Sequence, residues 1–157
     1  PIFNFSTGSL GHGLPNSSGL AYALKQKKSK KKVICLIGDQ ELMEGTTWES
    51  LHIIENYKIK NLILIIDRNK SDFRSIRFLE IKKKLSVFSD KIHEINGHNL
   101  LEIKDVLKKS LTNKSFNIII ANTVKGYGIK SIKNNPAWHH KSPTTEELKN
   151  FKKELCL

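Results

Sequence analysis

The sequence of 157 residues predicts an α/β fold in which a mostly parallel sheet is flanked by helices. Short runs rich in Ile, Leu and Val alternate with longer amphipathic runs, and this alternation is typical of a parallel sheet with helices on its faces. With 38% hydrophobic residues, and with neither internal repeats nor a domain-scale linker, the chain is long enough for one contiguous core. We therefore expect residues 1–157 to form a single domain.

The amino-terminal half is predicted to contain two helix–strand units. Leu14, Ala21 and Leu24 are apolar positions of the first helix, and a lysine-rich turn leads from that helix into a buried strand. A second helix, a second strand and a short helix follow. The predicted ranges are 11–26 (helix), 25–32 (basic turn), 33–37 (strand), 44–57 (helix), 62–66 (strand) and 79–88 (short helix).

The carboxyl-terminal half continues the alternation and carries clear helix-start signals. Asn99 and Glu102 stand at N-cap and N3 spacing, and Thr144 with Glu147 forms a capping box. The predicted ranges are 91–95 (strand), 99–110 (helix), 116–121 (strand) and 144–155 (helix). Residues 122–143 form a long predicted loop rich in Gly, Asn and Pro, and loops of that length are usually functional or disordered.

The net charge of +12 comes almost entirely from lysine, because 24 of the 27 basic residues are Lys and 3 are Arg. Base readout relies on the planar fork of arginine, whereas a lysine excess more often gives a hydrated surface. The dense run within 25–32 has no interleaved aromatic residues, which favours a solvated turn. We expect no nucleic-acid partner; binding through the lysine-rich surface is the alternative.

Several features concern location and completeness. No apolar run reaches the ~20 residues that a membrane-spanning helix needs, and the residues after Pro1 do not resemble a secretory signal. Cys35 and Cys156 form neither a CxxC motif nor a disulfide framework, as is usual in a reducing cytoplasm. We expect a cytoplasmic protein without membrane contact. The missing initiator Met and abrupt start predict a domain that is incomplete on its amino-terminal side.

Polar side chains follow two of the predicted strands. The first strand runs into Gly38 and Asp39, and about thirty residues later the second runs into Asp67, Arg68 and Asn69. If a right-handed crossover joins neighbouring strands, Asp39 and Asn69 face one crevice at the carboxyl edge, where open α/β sheets bind ligands. Carboxylate and amide oxygens suit magnesium. Taken singly, Asp39 could instead be an N-cap and Asn69 a turn residue.

The motifs of the chain resemble those of the transketolase family, in order and in spacing. A strand followed by Gly-Asp and a downstream Asn resembles the diphosphate-binding signature of thiamine diphosphate enzymes. The segments that narrow this resemblance to transketolase are TGSLGHG at 7–13, GDQELMEG at 38–45, WE at 48–49, INGH at 95–98, VKGYG at 124–128 and NNPAWH at 134–139. Together they span nearly the whole chain.

This resemblance implies thiamine diphosphate as the cofactor, anchored through magnesium. Its metal ligands would be Asp39, Asn69 and the backbone carbonyl of Ser71. His139 would contact the diphosphate and lie beside the reacting sugar, as a catalytic residue. Gly8 would permit close backbone approach to the cofactor. The implied cofactor-binding set is Gly8, Ser9, Leu10, Gly38, Asp39, Gln40, Glu44, Asn69 and His139.

Some of these positions have simpler interpretations. The glycines at 8, 11 and 13 could be only a turn before a helix, and Glu44 could be a first-turn residue rather than part of a carboxylate network at a dimer interface. Without the resemblance, His139 and His140 would be surface loop residues. Gln40 and His140 replace glycines that family members normally have, and a positive φ at position 40 would cost of order 1 kcal/mol.

The resemblance implies a transferase of the pentose phosphate pathway that moves a two-carbon ketol unit between sugar phosphates. The pyrimidine-binding half of the site is missing from the sequence, so a pyrimidine-domain (C-terminal) transketolase subunit is the implied partner in a dimer or other homo- or hetero-oligomer. One alternative is a non-catalytic remnant or scaffold of the same fold. Another is a different thiamine diphosphate enzyme, of the deoxyxylulose phosphate synthase or pyruvate dehydrogenase first component type.

Overall fold

A parallel sheet forms the centre of the computed structural model, which describes residues 4–69 and 80–157. Within these residues the sheet has four strands in the order β1-β2-β4-β3, and all neighbouring pairs are parallel. The predicted fold class is therefore confirmed. The strands are β1 (Val33–Gly38), β2 (Leu62–Arg68), β3 (Ile92–Asn96) and β4 (Asn117–Asn122). The α-helices are α1 (Gly13–Gln26), α2 (Gly45–Asn56), α3 (Ile81–Leu85), α4 (Leu100–Thr112) and α5 (Thr145–Glu154).

The register of the strands aligns their carboxyl ends. Gly38 of β1 pairs with Asp67 of β2, and Asp67 pairs in turn with Ala121 of β4. Asn96 at the end of β3 pairs with Asn122. The polar residues that follow the strands therefore lie along one edge of the sheet, as the sequence predicts.

The two faces of the sheet are covered unequally. On one face a buried cluster that includes Leu14 of α1, Leu51 of α2 and Leu85 of α3 packs against the strands. On the other face Val106 of α4 belongs to a smaller cluster over the middle of the sheet. Within the part of the chain that the structure describes, the face of β1 that carries Leu36 is open, and the Leu36 side chain is 67% exposed. Parallel sheets are normally buried on both faces, so the exposure of the second face at β1 is unusual.

The predicted helix starts are present. The side chain of Asn99 accepts hydrogen bonds from the backbone N–H groups of Leu101 and Glu102, and Thr144 and Glu147 form the full capping box. Glu102 does not complete a capping box, because its carboxylate accepts from the Asn99 side chain and from the backbone N–H of Asn96.

Three local features differ from the sequence prediction. β2 continues to Arg68, so that Asp67 is a strand residue, and the stretch after β1 forms a 3-10 turn, Asp39–Met43. The predicted helix over 79–88 is shorter, because Glu80 has a left-handed φ of 54° and α3 begins only at Ile81. Position 79 lies outside the described residues. Among those that are described, no helix is both long and apolar enough to cross a membrane.

Candidate functional site

The two residues that the sequence predicts as metal-ligand side chains both lie at the carboxyl edge of the sheet. Asp39 begins the 3-10 turn directly after β1 and is buried, with 7% of its surface exposed. Asn69 follows β2 by one residue and is partly buried. Because Gly38 pairs with Asp67, Asp39 and Asn69 leave adjacent strands at nearly the same level of the sheet. The edge therefore carries a carboxylate residue and an amide residue directly after neighbouring strands.

Asp67 organises this edge, a role that the sequence analysis did not assign to it. One carboxylate oxygen accepts a hydrogen bond from Asn69 Nδ2 at 3.1 Å, and the other accepts a short hydrogen bond from the hydroxyl of Thr123, beyond β4. The first bond directs the Asn69 amide nitrogen toward Asp67 and its oxygen away from that carboxylate. The run of three polar residues after an apolar strand was the available signal, but the contact with Thr123 joins residues far apart in the chain.

The glycine-rich loop before α1 is attached to the 3-10 turn through Gly11. The backbone N–H of Gly11 donates to Glu41 Oε2 at 3.2 Å, and Thr46 Oγ1 donates to the Gly11 carbonyl at 2.7 Å. Gly11 has a φ of 75°, and a β-carbon there would lie 2.4 Å from Thr46 Oγ1. Glycine is therefore required at position 11 by both conformation and space. At Gly8 a β-carbon would meet nothing within 4 Å, so packing inside this chain does not require glycine there.

Side chains of α2 donate hydrogen bonds to backbone carbonyls of the 3-10 turn. Thr47 Oγ1 donates to the Glu41 carbonyl at 2.7 Å, and Trp48 Nε1 donates to the Leu42 carbonyl at 2.8 Å. Gln40 lies in this turn and is not among the residues with positive φ, so the strain considered for a side chain at this position does not arise. Glu44 is the N-cap of α2 and makes no side-chain cap.

His139 contacts the sheet edge through the side chain of Lys125. Lys125 Nζ lies 2.6 Å from His139 Nδ1, and the ring of His140 contacts the His139 ring at a centroid distance of 4.3 Å. Since an ammonium group can only donate, Nδ1 of His139 is the acceptor, and a neutral ring then carries its proton on Nε2. Lys125 therefore sets the tautomer of an otherwise exposed histidine.

The segment that carries His139 is anchored near both of its ends. The backbone N–H of Asn134 donates to the Lys125 carbonyl at 2.9 Å. Trp138 closes a 3-10 turn, Pro136–Trp138, and its ring contacts Phe151 of α5 at a centroid distance of 5.1 Å. Much of the predicted 122–143 loop is thus structured.

An open cavity of about 590 Å³ begins at this edge and extends along the second face of the sheet. Its polar mouth includes Asp67, Asn69, Thr123 and Lys125. Its apolar wall is formed by residues of the sheet and of α4: Leu36, Ile65, Ile95, Ile103, Val106, Leu107, Ile119 and Ala121. The cavity connects the candidate site with the uncovered part of the sheet.

The remaining predicted positions differ in their exposure. Gly8, Ser9 and Leu10 are exposed, and Ser71 lies outside the described residues. No group of three His, Cys, Asp or Glu side chains in residues 4–69 and 80–157 is arranged to hold a metal ion. A divalent cation here would therefore need amide, backbone or ligand oxygens in addition to the Asp39 carboxylate.

An open parallel sheet with carboxylate and amide groups at its carboxyl edge defines a class of α/β domains that bind ligands at that edge. The family model described as "Transketolase, thiamine diphosphate binding domain" matches residues 1–157. The chain belongs to this family. The cofactor of the family is thiamine diphosphate, with a metal ion bound by the diphosphate.

Individual relatives agree with this assignment. One of the subunits of the apulose-4-phosphate transketolase of Actinobacillus succinogenes is 39% identical over 160 residues, which cover 99% of this chain and 58% of that protein. Human transketolase is 34% identical over 142 residues, covering 87% of this chain and 22% of that protein. The crystal structure of transketolase from Campylobacter jejuni superposes with a TM-score of 0.89 at 26% identity, covering 96% of this chain and 26% of that chain. The chain thus spans just over half the length of the Actinobacillus relative.

Proposed function

We propose that this chain anchors the diphosphate of thiamine diphosphate through Mg²⁺ and contributes that half of the site to two-carbon ketol transfer between sugar phosphates. The observation that carries the proposal is that the buried Asp39 and the partly buried Asn69 follow the carboxyl ends of adjacent parallel strands. Family membership supplies the identity of the ligand.

The donor set fits a magnesium diphosphate. Magnesium prefers hard oxygen ligands and usually binds through one or two protein groups together with phosphate oxygens and water. Asp39 offers a carboxylate. The Asn69 amide nitrogen donates to Asp67, so the amide oxygen of Asn69 would be its ligand atom. The Ser71 carbonyl stays a prediction as a third ligand. Gln40 would offer its backbone N–H to a phosphate, and Gly8, Ser9 and Leu10 would approach the same group from the glycine-rich loop.

When bound, the cofactor supplies the electron sink for breaking and forming the carbon–carbon bond. The residues of this chain bind and orient. Asp39 and Asn69 would hold the cation, and with it the diphosphate. Lys125 donates to Nδ1 of His139, so that the His139 Nε2–H can donate to a phosphate or sugar oxygen.

Completion of the site would require further polypeptide. The relative from Actinobacillus succinogenes is named as one subunit of its enzyme, and this chain spans 58% of it. The uncovered face around Leu36 also supports additional protein contacts. We propose that the partner in a dimer or larger oligomer is a pyrimidine-domain subunit. We also propose a cytoplasmic location and a sugar phosphate substrate of the pentose phosphate pathway or a related one.

Thermal unfolding tests the anchor directly. We expect Mg²⁺ with thiamine diphosphate to raise the Tm of the chain together with its candidate partner, because a ligand that binds only the folded state stabilises it. Asp39→Asn should abolish the shift, since it removes the charge of the principal ligand. Asp105→Asn, on the exposed side of α4, is the matched control and should retain the shift. Absence of a shift in the wild-type complex, or a full shift in Asp39→Asn, would contradict the proposal.

A non-catalytic scaffold of the same fold is the second candidate, because Gln40 and His140 stand where the family normally has glycine. The ring of His140 packs against His139 and restricts the space around it. This candidate predicts that the partner binds equally well with and without Mg²⁺ and thiamine diphosphate, and that neither changes the Tm. Titration of the partner by calorimetry under both conditions separates the two candidates.

A further inference from the structure

We propose that His98 is a positioning residue: its neutral ring accepts the backbone N–H of Val124 and thereby sets the segment from which Lys125 reaches His139. The inference rests on the proposed function for the role of His139. The hydrogen bond and its consequence for Lys125 can be tested without the cofactor.

The backbone of His98 is held rigidly at the end of β3. Its N–H donates to Asn96 Oδ1 at 3.0 Å, and the N–H of Gly97 donates to the Asn122 carbonyl at 2.8 Å. A β-carbon at Gly97 would lie 2.4 Å from Thr123 Cγ2, so this turn packs directly against the end of β4. The ring of His98 therefore projects from a fixed point of the sheet edge.

The ring makes two contacts with the segment that follows β4. The backbone N–H of Val124 lies 2.8 Å from His98 Nε2, and the ring stacks on Tyr127 with a centroid distance of 3.7 Å and an interplanar angle of 12°. Because a backbone N–H can only donate, Nε2 is the acceptor, and the ring is neutral with its proton on Nδ1. The His98 side chain thus contacts both Val124 and Tyr127, which are the two ends of a tight turn.

This turn leads directly to the candidate site. The N–H of Tyr127 donates to the Val124 carbonyl at 3.1 Å, and Lys125 lies between them. The Lys125 carbonyl accepts from the N–H of Asn134, and its ammonium group contacts His139 Nδ1. A shift of the turn would move the Lys125 ammonium group. Through the hydrogen bond between the Lys125 carbonyl and Asn134, it would also move the segment that carries His139. The tautomer and the direction of the His139 ring would change as a result.

Loss of the acceptor at His98 Nε2 would leave the Val124 N–H without this hydrogen bond. His98 would then hold the turn only through the stacking contact with Tyr127.

Two substitutions of His98 test its hydrogen-bond acceptor and its aromatic ring separately. His98→Gln places an amide oxygen near the position of Nε2 and does not titrate. His98→Phe keeps an aromatic ring for Tyr127 and lacks the acceptor. His52→Gln, on the exposed side of α2, is the control for loss of a histidine elsewhere.

The readout is the NMR spectrum of the isolated chain. We expect the Val124 amide to be protected against hydrogen exchange in wild type and in His98→Gln. Its protection should fall by about tenfold in His98→Phe, because the acceptor of its hydrogen bond is lost. The ¹⁵N shifts of the His139 ring should change in His98→Phe and be retained in His98→Gln. His52→Gln should behave as wild type in both measurements.

The outcomes are distinct from those of the cofactor experiment. Unchanged Val124 protection in His98→Phe, or loss of that protection in His98→Gln, would overturn the proposal. A changed Val124 amide with an unchanged His139 ring would reduce His98 to a local structural role and would also overturn it. Failure of magnesium and thiamine diphosphate to raise the Tm would refute the proposed function while leaving these NMR results unaffected.

Discussion

Individual side chains at the carboxyl edge orient neighbouring groups through hydrogen bonds. Asp67 orients Asn69, Glu41 holds the backbone of Gly11, and Lys125 sets the tautomer of His139. Asp67 and Lys125 each contact a predicted site residue, whereas Glu41 contacts Gly11, which adjoins the predicted positions 8–10. None of the three orienting residues was itself predicted. Hydrogen bonds to charged groups are typically stronger than neutral ones, so these pairs pre-organise the edge before any ligand binds.

Two glycines of the same loop should respond differently to the same substitution. Gly11→Ala should lower the free energy of unfolding by more than about 1 kcal/mol, because its φ is positive and the new β-carbon would overlap Thr46 and Glu44. Gly8→Ala should leave stability unchanged or slightly raised, because its β-carbon would meet nothing within 4 Å. Urea denaturation measures both values.

The same pair tests the proposed cofactor contact. If the backbone of Gly8 approaches the cofactor, Gly8→Ala should reduce the Tm shift produced by Mg²⁺ and thiamine diphosphate in the complex while leaving the unliganded Tm unchanged. Equal destabilisation of the two variants would contradict the assignment of Gly11 as the structurally required glycine.

At the scale of elements, α5 secures the segment that carries His139. Phe151 of α5 packs on Trp138, and Lys141 lies over the same indole ring at 4.3 Å while its ammonium group pairs with Glu147. The hydrogen bond from Lys141, followed by the Thr144 backbone N–H, lowers the pKa of the Glu147 carboxyl. The contribution of Glu147 is therefore present above the usual pKa of glutamate and is lost as the pH falls through its lower folded value.

Adjacent threonines at the start of α5 provide a matched pair. Thr144→Ala should lower the free energy of unfolding by about 1 kcal/mol, because Thr144 Oγ1 accepts the N–H of Glu147 at the N-cap. Thr145→Ala should be neutral or slightly stabilising, because alanine has the higher helix propensity at a helical position. Chemical denaturation followed by tryptophan fluorescence measures the difference, and equal effects would argue against a functioning N-cap.

At the scale of the whole molecule, the uneven cover of the sheet is the dominant feature. α1, α2 and α3 bury one face, while on the other face the cavity of about 590 Å³ runs between α4 and the exposed side of β1. Exposed apolar surfaces of this kind generally mark interaction sites or ligand grooves.

A hydrophobic fluorescent dye should report this surface. Leu36→Lys should reduce dye binding by the isolated chain, because it places an ammonium group in the apolar wall of the cavity. The free energy of unfolding should change by no more than about 0.5 kcal/mol, since Leu36 is largely exposed. Leu100→Lys, at the start of α4, is the matched control and should leave dye binding unchanged, because Leu100 is exposed and does not line this cavity. Equal dye binding by wild type and Leu36→Lys would show that the cavity is not accessible.

Local patterns in the sequence were sufficient for the sheet, the helix starts and the position of the candidate edge. Alternating apolar runs identified β1 through β4, and the caps at Asn99 and Thr144 are present. Prediction of the edge succeeded because the carboxyl ends of parallel strands must meet, so that Asp39 and Asn69 could be placed from order alone. The metal and cofactor roles of these residues stay predictions.

Only the tertiary structure decided which hydrogen bonds fix the residues at the carboxyl edge of the sheet. The Asp67–Thr123, Gly11–Glu41 and Val124–His98 hydrogen bonds join segments separated by 56, 30 and 26 residues. Such partners have no local signature, because their choice depends on strand order and on turn geometry. The sequence by itself determined which polar residues reach the edge. The packing of β1 against β2, and of β4 against both β2 and β3, decided which of them contact each other, because only in the folded sheet do these distant segments come within hydrogen-bonding distance.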